Sequence, residues 1–196
     1  MMCCMSSVSN DIIQDGRGQP NPYRFWERML RVLWVFTYYC LYRPVPRIFN
    51  GWHCMVLRLF GANIGRGCII YPSAEIYFPW RLHLSDYCVI ADRVKLYNLC
   101  DIWIGRHSVV SQHSHLCAGT HDYTQTHMPL LRLPITIQDG AWICTDAFIG
   151  PGVTIGRNAV VGARSVVMND LPSSVVCAGN PAKIIKEQHL EKNDNS

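Results

Sequence analysis

Aliphatic residues recur every six positions over the C-terminal part of the chain. Ile137, Ile143, Ile149, Ile155, Val161 and Val167 stand six apart, and Gly150, Gly156 and Gly162 each follow one of them. Four residues after each of the first five comes a small or slim side chain: Ala141, Ala147, Val153, Ala159 and Ser165. A period of six fits neither a helix, with about 3.6 residues per turn, nor an alternating strand, with a period of about 2. It fits a prism in which each hexapeptide is a short strand plus a corner and three hexapeptides make one coil, the pattern of a parallel β-helix. The aliphatic residue fills the axis and the small one tucks in beside it. Glycine serves the corner, where φ is positive or the backbone is crowded. A β-sandwich with coincidental spacing would not hold six positions in register.

The same period runs upstream. Ile64, Ile70, Ile76 and Leu82 hold it. The phase shifts by two before Leu84, Ile90 and Leu96, and by two again before Ile104, Val110 and Leu116. Residues 117–134 cannot be threaded as hexapeptides, and the run resumes at Ile135 and Ile137. A solenoid tolerates an insertion only as a loop off one face, often its binding face. After Val167 two loosely spaced strands are expected, then Asn180-Pro181. The chain thus divides into a frayed start and N-terminal helices (1–60), a solenoid with an inserted loop at 117–134 (61–187), and a polar tail (188–196).

The N-terminal part has a different pattern. Residues 1–20 are polar, with neither the cationic start nor the apolar core of a secretory signal. Arg24, Glu27, Arg28 and Arg31 then precede a run from 32 to 42 that is apolar or aromatic apart from Thr37. This run reads as a helix that stops before Pro44. It is too short to span a bilayer, which takes about 20 residues. Two placements remain open. The helix packs on the end or flank of the solenoid, or it lies at a membrane interface. In the second case Trp26, Trp34, Tyr38 and Tyr39 sit among headgroups, and Arg24, Arg28, Arg31, Arg43 and Arg47 meet anionic lipid. A second short helix places Ile48, Trp52, Met55 and Leu59 on one face, can close at Gly61, and is expected to cap the open end of the solenoid.

Composition sharpens this picture at three points. Charged residues are only 16% of the 196, against about 25% in ordinary domains, as expected where much of each strand is buried. The net charge of +4 is uneven: residues 1–60 hold seven arginines and three acids, the rest eleven basic and eleven acidic groups. An evenly charged repeat region argues against nucleic acid binding, which needs a basic stripe. The ten cysteines show no paired CxxC spacing. Cys68, Cys88 and Cys100 fall at the small inward position and read as core hydrophobes in a reducing, cytoplasmic compartment rather than as zinc ligands or disulfides.

The interruption carries the candidate chemistry. It contains Ala118-Gly119-Thr120-His121-Asp122-Tyr123-Thr124. His121 leaves the regular coil and so is expected at the surface on a rigid scaffold, where an imidazole can act as general base near neutral pH. Asp122 could orient that ring or meet substrate. A metal site of the γ-carbonic-anhydrase kind is invited by His113, His115 and His121. However, His115 and His121 would stack on one strand only if the coil continued to 121, and a catalytic zinc needs three ligands and a water. A non-catalytic scaffold would need no interrupting loop.

Several segments together carry a resemblance: FGANIG (60–65), LYNLCDIWIG (96–105), LCAGTHDY (116–123), ITIQDGAWI (135–143), IGPGVTIG (149–156), VVGARSVV (160–167) and AGNPAKIIK (178–186). Across roughly residues 22 to 187 the chain resembles the hexapeptide-repeat O-acetyltransferases. It is most similar to the colanic-acid and exopolysaccharide type and to the galactoside and maltose acetyltransferases. The resemblance implies a left-handed parallel β-helix and a homotrimer, with acetyl-CoA in the cleft between adjacent prisms and no metal. It implies acetyl transfer to a sugar or lipid-linked saccharide; peripheral contact at the inner membrane face is the expectation drawn from the arginines and aromatics of residues 22–47. His121 matches the family's base, which takes the proton of an acceptor hydroxyl as that hydroxyl attacks the thioester. Asn98 matches an asparagine facing the acceptor, with Asp122 and Tyr123 as further substrate contacts. Trp142 matches the wall of the cleft, and Thr145 and Ala163 match positions along the pantetheine arm. Lys183 matches a basic residue at the nucleotide phosphates. Two departures stand out. Met168-Asn169 replaces a usual Thr-Lys, so a cationic contact is missing that Arg164, Lys183 or Lys186 could supply. Cys144 stands where glycine is usual, beside Trp142, and could narrow the channel.

Overall fold

The computed structural model describes residues 23–188. The frayed start and polar tail expected from the sequence lie almost wholly outside them.

From residue 63 the chain winds as a three-faced prism of parallel strands. The first face holds Asn63–Ile64, Leu82–Leu84, Ile102–Ile104, Ile135–Ile137 and Thr154–Ile155. The second holds Ile69–Ile70, Val89–Ile90, Val109–Val110, Trp142–Ile143, Val160–Val161 and Val175–Ala178, closed by an antiparallel strand, Lys183–Glu187. The third holds Glu75–Ile76, Lys95–Tyr97, His115–Cys117, Phe148–Ile149 and Val166–Val167. Ile137, Ile143, Ile149, Ile155, Val161 and Val167 are all buried on the axis, with Ala141, Ala147, Val153, Ala159 and Ser165 buried at the corners between them. The phase shifts are visible as register. Ile64 pairs with Leu84 and Leu84 with Ile104, two coils of twenty residues, whereas Ile137 pairs with Ile155, a coil of eighteen.

The glycines serve crowding rather than φ. Gly150, Gly156 and Gly162 are absent from the left-handed positions, which fall two residues later at Gly152, Asn158 and Arg164. A Cβ on Gly156 would lie 2.4 Å from the backbone of Pro172 and Ser173 in the next coil, and one on Gly105 2.5 Å from the Asp139 nitrogen. Those distances are closer than any real contact, so glycine lets one coil's corner nest under the next. Cys68, Cys88 and Cys100 are buried, as expected of small core side chains. Cys68 and Cys88 lie against each other; hydrogen bonding from Cys88 pulls the Cys68 thiol down to about 7, and the same contact with burial pushes Cys88 up.

Two helices cap the open first coil. α1 is Phe25–Thr37, continued by a wider turn at Tyr38–Tyr42; α2 is Asn50–Leu59. The first coil's three strands have no preceding neighbour, and each face receives one side chain from the cap. The Arg58 guanidinium donates to the Ile64 carbonyl (2.9 Å) on the first face. Asn50 donates to the Cys68 carbonyl and accepts from the Ile70 N–H on the second. The Trp34 indole donates to the Ile76 carbonyl (2.7 Å) on the third. Sheet edges that would otherwise template pairing are thereby satisfied.

The cap corrects two expectations. α1 is neither wholly packed nor wholly free: Trp34, Tyr38 and Tyr42 are buried on the solenoid, while Trp26 is 78% exposed. Arg31 lies over the Tyr77 and Phe78 rings and Arg47 over Tyr71, so these two cations clip the helices to the prism. In α2 the face formed by Ile48, Trp52, Met55 and Leu59 points outward; the opposite side, with His53, Cys54 and Leu57, is buried. Periodicity identified the apolar face correctly but not the side that would be covered. Among the described residues no helix is long and apolar enough to cross a membrane.

Candidate active site

The interruption of the repeat is a β-hairpin. Gly119–His121 pairs antiparallel with Leu130–Arg132, with Gly119 opposite Arg132 and His121 opposite Leu130. It grows from the corner joining the third face to the first, since the chain enters from Cys117 and rejoins the first face at Ile135. Gly119 is buried at its base, where a Cβ would lie 2.7 Å from Leu99.

His121 is exposed near the hairpin tip, and its ring is held by backbone. Nδ1 lies 2.7 Å from the Met128 carbonyl. A carbonyl only accepts, so Nδ1 carries the proton as donor and Nε2 keeps a lone pair. Met128 has φ 43°, the left-handed region a side chain of this size rarely adopts. The strained residue is the one whose carbonyl fixes the imidazole.

Asp122 does not orient that ring. Its carboxylate accepts from the Thr124 backbone N–H (3.0 Å), the Thr124 hydroxyl (2.6 Å) and the Gln125 amide (2.8 Å). These bonds hold its pKa below the usual carboxylate value and build the turn that closes the hairpin. Tyr123 beside it is almost fully exposed.

Asn98 is 0% exposed, so the expectation that it faces an acceptor does not match its place in this chain. Its carboxamide oxygen accepts from the N–H groups of Tyr77 (3.1 Å) and Phe78 (2.9 Å), and its amide donates to the Phe78 carbonyl (2.6 Å). It braces the corner one coil below the hairpin.

The remaining candidates line up elsewhere, along the corner joining the second face to the third. Trp142 is half exposed on the second face, and its indole donates to the Ser111 hydroxyl (2.9 Å) one coil earlier. The Thr145 hydroxyl donates to the Gln112 carbonyl (2.9 Å), and the Arg164 N–H to the Thr145 carbonyl (2.9 Å). Ala163 is exposed beside Arg164, whose guanidinium stands 3.7 Å from Asp146 in a solvent-facing pair of little strength. Cys144 is half-buried between Trp142 and Thr145, and burial raises its thiol pKa. Met168 and Asn169 are exposed. Lys183 stands exposed on the closing strand, paired in register with Ala178.

The structure therefore brings Trp142, Thr145, Ala163 and Arg164 together on one edge of the prism and sets His121 on another. The third face lies between them. Each side of the prism repeats every six residues, which at about 3.3 Å each is up to about 20 Å, far beyond a hydrogen bond. No sequence pattern marks Met128, the residue whose carbonyl holds the His121 ring, because it acts through its backbone. Among the described residues no three His, Cys, Asp or Glu side chains converge to hold a metal. His113 sits at a corner, His115 within a strand and His121 in the hairpin, so these three do not converge within one chain.

Comparison with known proteins agrees with this geometry. Residues 134–169 match the bacterial transferase hexapeptide (six repeats) family. The putative colanic acid biosynthesis acetyltransferase WcaF of Escherichia coli (strain K12) is 44% identical over 173 residues, covering 88% of this chain and 95% of that protein. The galactoside O-acetyltransferase of the same organism is 33% identical over 129 residues, 65% of this chain and 56% of that one. A hexapeptide-repeat acetyltransferase of Vibrio cholerae, solved with acetyl coenzyme A, shares the fold with a TM-score of 0.77 at 23% identity, covering 87% of this chain and 93% of that one. The prism, its interrupting hairpin and the near full-length match place this chain in the hexapeptide-repeat acetyltransferases, in the group of the colanic-acid-type enzymes.

Proposed function

We propose that this protein transfers an acetyl group from acetyl-CoA to a hydroxyl of a saccharide used in cell-surface polysaccharide assembly, with His121 as general base. The observation that carries this is the bond from His121 Nδ1 to the Met128 carbonyl, which makes Nδ1 the donor and, in the neutral ring, leaves the lone pair on Nε2. In the reaction Nε2 takes the acceptor's O–H proton while that oxygen bonds to the thioester carbonyl carbon. The tetrahedral oxyanion is held by backbone N–H groups, the C–S bond breaks, and the imidazolium returns its proton to the departing thiolate. No acyl-enzyme is needed, and alignment of the two substrates supplies much of the rate. Trp142, Thr145 and Ala163 flank the pantetheine arm; Arg164 and Lys183 meet the phosphates in place of the missing Thr-Lys. Asp122 and Tyr123 border the acceptor, and Asn98 acts on it only through the corner it braces.

The same reading requires a homotrimer, because His121 and the Trp142–Arg164 line occupy different edges of one prism. They share a cleft when the third face points outward and the first face of one copy meets the second face of the next. Two features support that arrangement. The outward column of the second face is apolar, with Ile69, Val89, Val109 and Val160. The first face carries a shallow groove of about 790 Å³ floored by Trp103 and rimmed by Asp86, Arg106, Asp139 and Arg157. Without a neighbour the apolar column of the second face would stand in water, which is unusual.

The test is thiol release from acetyl-CoA across nucleotide sugars and lipid-linked saccharides. With the acceptor found, His121→Ala should lower kcat by about 10² to 10⁴ while acetyl-CoA affinity stays nearly constant. Near-normal turnover in that variant overturns the assignment. Sedimentation as a single species near 22.3 kDa overturns the trimer.

A further inference from the structure

We propose that the outer faces of α1 and α2 form a docking surface for an anionic lipid bilayer, and that this surface sits beside the entrance to the hairpin. Fifteen of the 26 exposed large apolar side chains among the described residues lie between Phe25 and Leu59. On α1, Trp26, Met29, Val32, Leu33 and Phe36 all face solvent, as does Tyr39 in the wider turn that continues it. On α2 and the turn before it, Ile48, Met55 and Leu59 do the same, Ile48 being 84% exposed. Soluble proteins rarely leave a continuous apolar patch of this kind uncovered.

Charge selects the occupant. Residues 23–60 hold six arginines and a single acid, Glu27; Arg31, Arg47 and Arg58 are engaged on the prism, which leaves Arg24, Arg28 and Arg43 for the outer surface. Glu27 is held by Arg81 of the solenoid, which removes it from the surface balance. Arg24 and Arg43 are exposed at the two ends of the α1 stripe. Against a symmetry-related copy this patch would bring arginine to arginine. Against an anionic headgroup layer the same arginines gain, while Trp26 and Tyr39 suit the boundary between headgroup and acyl chain. The helices lie in the interface without crossing it, as their length requires.

The surface is also placed to matter. At the start of α1, Tyr23 stacks on Phe78, and the Arg132 guanidinium lies over the Tyr23 ring at 4.9 Å. Arg132 belongs to the second strand of the hairpin that carries His121. A bilayer on the outer side of α1 therefore brings a saccharide carried on a membrane lipid to the hairpin. Lipid binding itself rests on the fold alone; this last consequence rests on the proposed acetyl transfer.

Co-sedimentation of the full chain with vesicles tests the proposal. Vesicles of phosphatidylcholine mixed with phosphatidylglycerol should carry the protein down at low salt and release it at high salt; phosphatidylcholine alone should bind it weakly. Val32→Ser with Phe36→Ser, or Ile48→Ser with Met55→Ser, should lower partitioning about tenfold or more. Arg24→Gln and Arg43→Gln should each lower it about fivefold. All of these side chains face solvent, so turnover of a free saccharide acceptor should be unchanged, which separates failure here from failure of the catalytic reading. No association at low salt, equal binding to both vesicle types, or variants that change the sedimenting mass instead of vesicle binding would each overturn the proposal.

Discussion

The two corners that flank the third face of the prism are built on opposite plans. Along the corner from the second face to the third, successive core residues are always six apart: Ile70 to Ile76, Ile90 to Leu96, Val110 to Leu116, Ile143 to Ile149, Val161 to Val167. The same backbone turn closes each one, from the Ala74 N–H to the Tyr71 carbonyl in the first coil through to the Ser165 N–H and Gly162 carbonyl in the fifth. Left-handed residues recur in it at Arg93, His113, Asp146 and Arg164. The corner from the third face to the first keeps no such spacing. It takes a short helical turn at Pro79–Arg81, a buried asparagine at Asn98, and then the whole hairpin. An even edge presents equally spaced groups over several coils, which suits a long extended ligand. An uneven edge can change length without breaking the ladder, because the strands on either side remain paired with their own neighbours. In this chain the even edge carries the proposed coenzyme line and the uneven edge carries the base.

That division predicts different kinetic signatures for the two edges. The largest effect belongs to the uneven one, in the kcat loss of His121→Ala. If that variant instead raised KM for acetyl-CoA with kcat intact, the edges would not divide the work as described.

Next in size is Asn98→Ala, which separates bracing from acceptor contact. Removing the carboxamide leaves the Phe78 N–H unpaired in a buried corner, while the Tyr77 N–H keeps the Leu96 carbonyl and the Phe78 carbonyl keeps the Arg81 N–H, at a cost of about 1 to 3 kcal/mol. The thermal midpoint should fall by about 5 °C. A variant that keeps its midpoint but loses acceptor affinity would show that the side chain reaches substrate after all.

On the even edge the expected effects are smaller and fall on KM. Arg164→Ala removes a guanidinium whose ion pair with Asp146 is solvent-facing, so stability should barely change. Its loss should raise KM for acetyl-CoA about fivefold to tenfold with kcat little affected. Dephospho-forms of the coenzyme should narrow the difference between variant and parent. Equal KM values for the two proteins would remove Arg164 from the coenzyme line.

The same contrast governs how much of the molecule was legible beforehand. The even edges were fully legible, since a core residue every six positions dictates strand, corner and register together, and the two-residue phase shifts correctly located the longer coils. The hairpin was legible as a break but not as a structure. Its strands pair through backbone, and the residue that sets the His121 tautomer contributes a carbonyl that any side chain could bring. Corner φ was misplaced because the left-handed positions fall two residues later, at Gly152, Asn158 and Arg164, while Gly150, Gly156 and Gly162 answer to crowding from the next coil. Asn98 and α2 failed for one shared reason. A sequence pattern shows that a side chain has partners or a face is apolar, yet the neighbouring coil decides whether the partner is backbone or substrate, and whether the face is covered.

The smallest effect concerns the third face, which both edges share. His115 stands in its outward column between Lys95 and Phe148, half-buried against the Tyr97 and Phe148 rings. Its Nε2 is buried without a hydrogen-bond partner. Burial, and after it the charge of Lys95, lowers its pKa, with Glu75 acting weakly in the other direction. The sign of the linkage follows. The folded protein resists protonating this ring and the unfolded chain does not, so between the ordinary histidine value and the lowered one the unfolded state binds more protons. Stability therefore rises with pH through that window, is unaffected above it, and declines as pH falls below about 6.5. His115→Gln removes this group while leaving the column's neighbours in place. The difference in thermal midpoint between parent and variant should be constant at neutral pH and shift in the variant's favour as pH is lowered to about 5. The shift should be small, because the ring is partly open to solvent. Two curves that stay parallel across that range would mean that the ring gains a proton acceptor in the folded protein, such as a group from the neighbouring copy, and that the third face does not point freely outward.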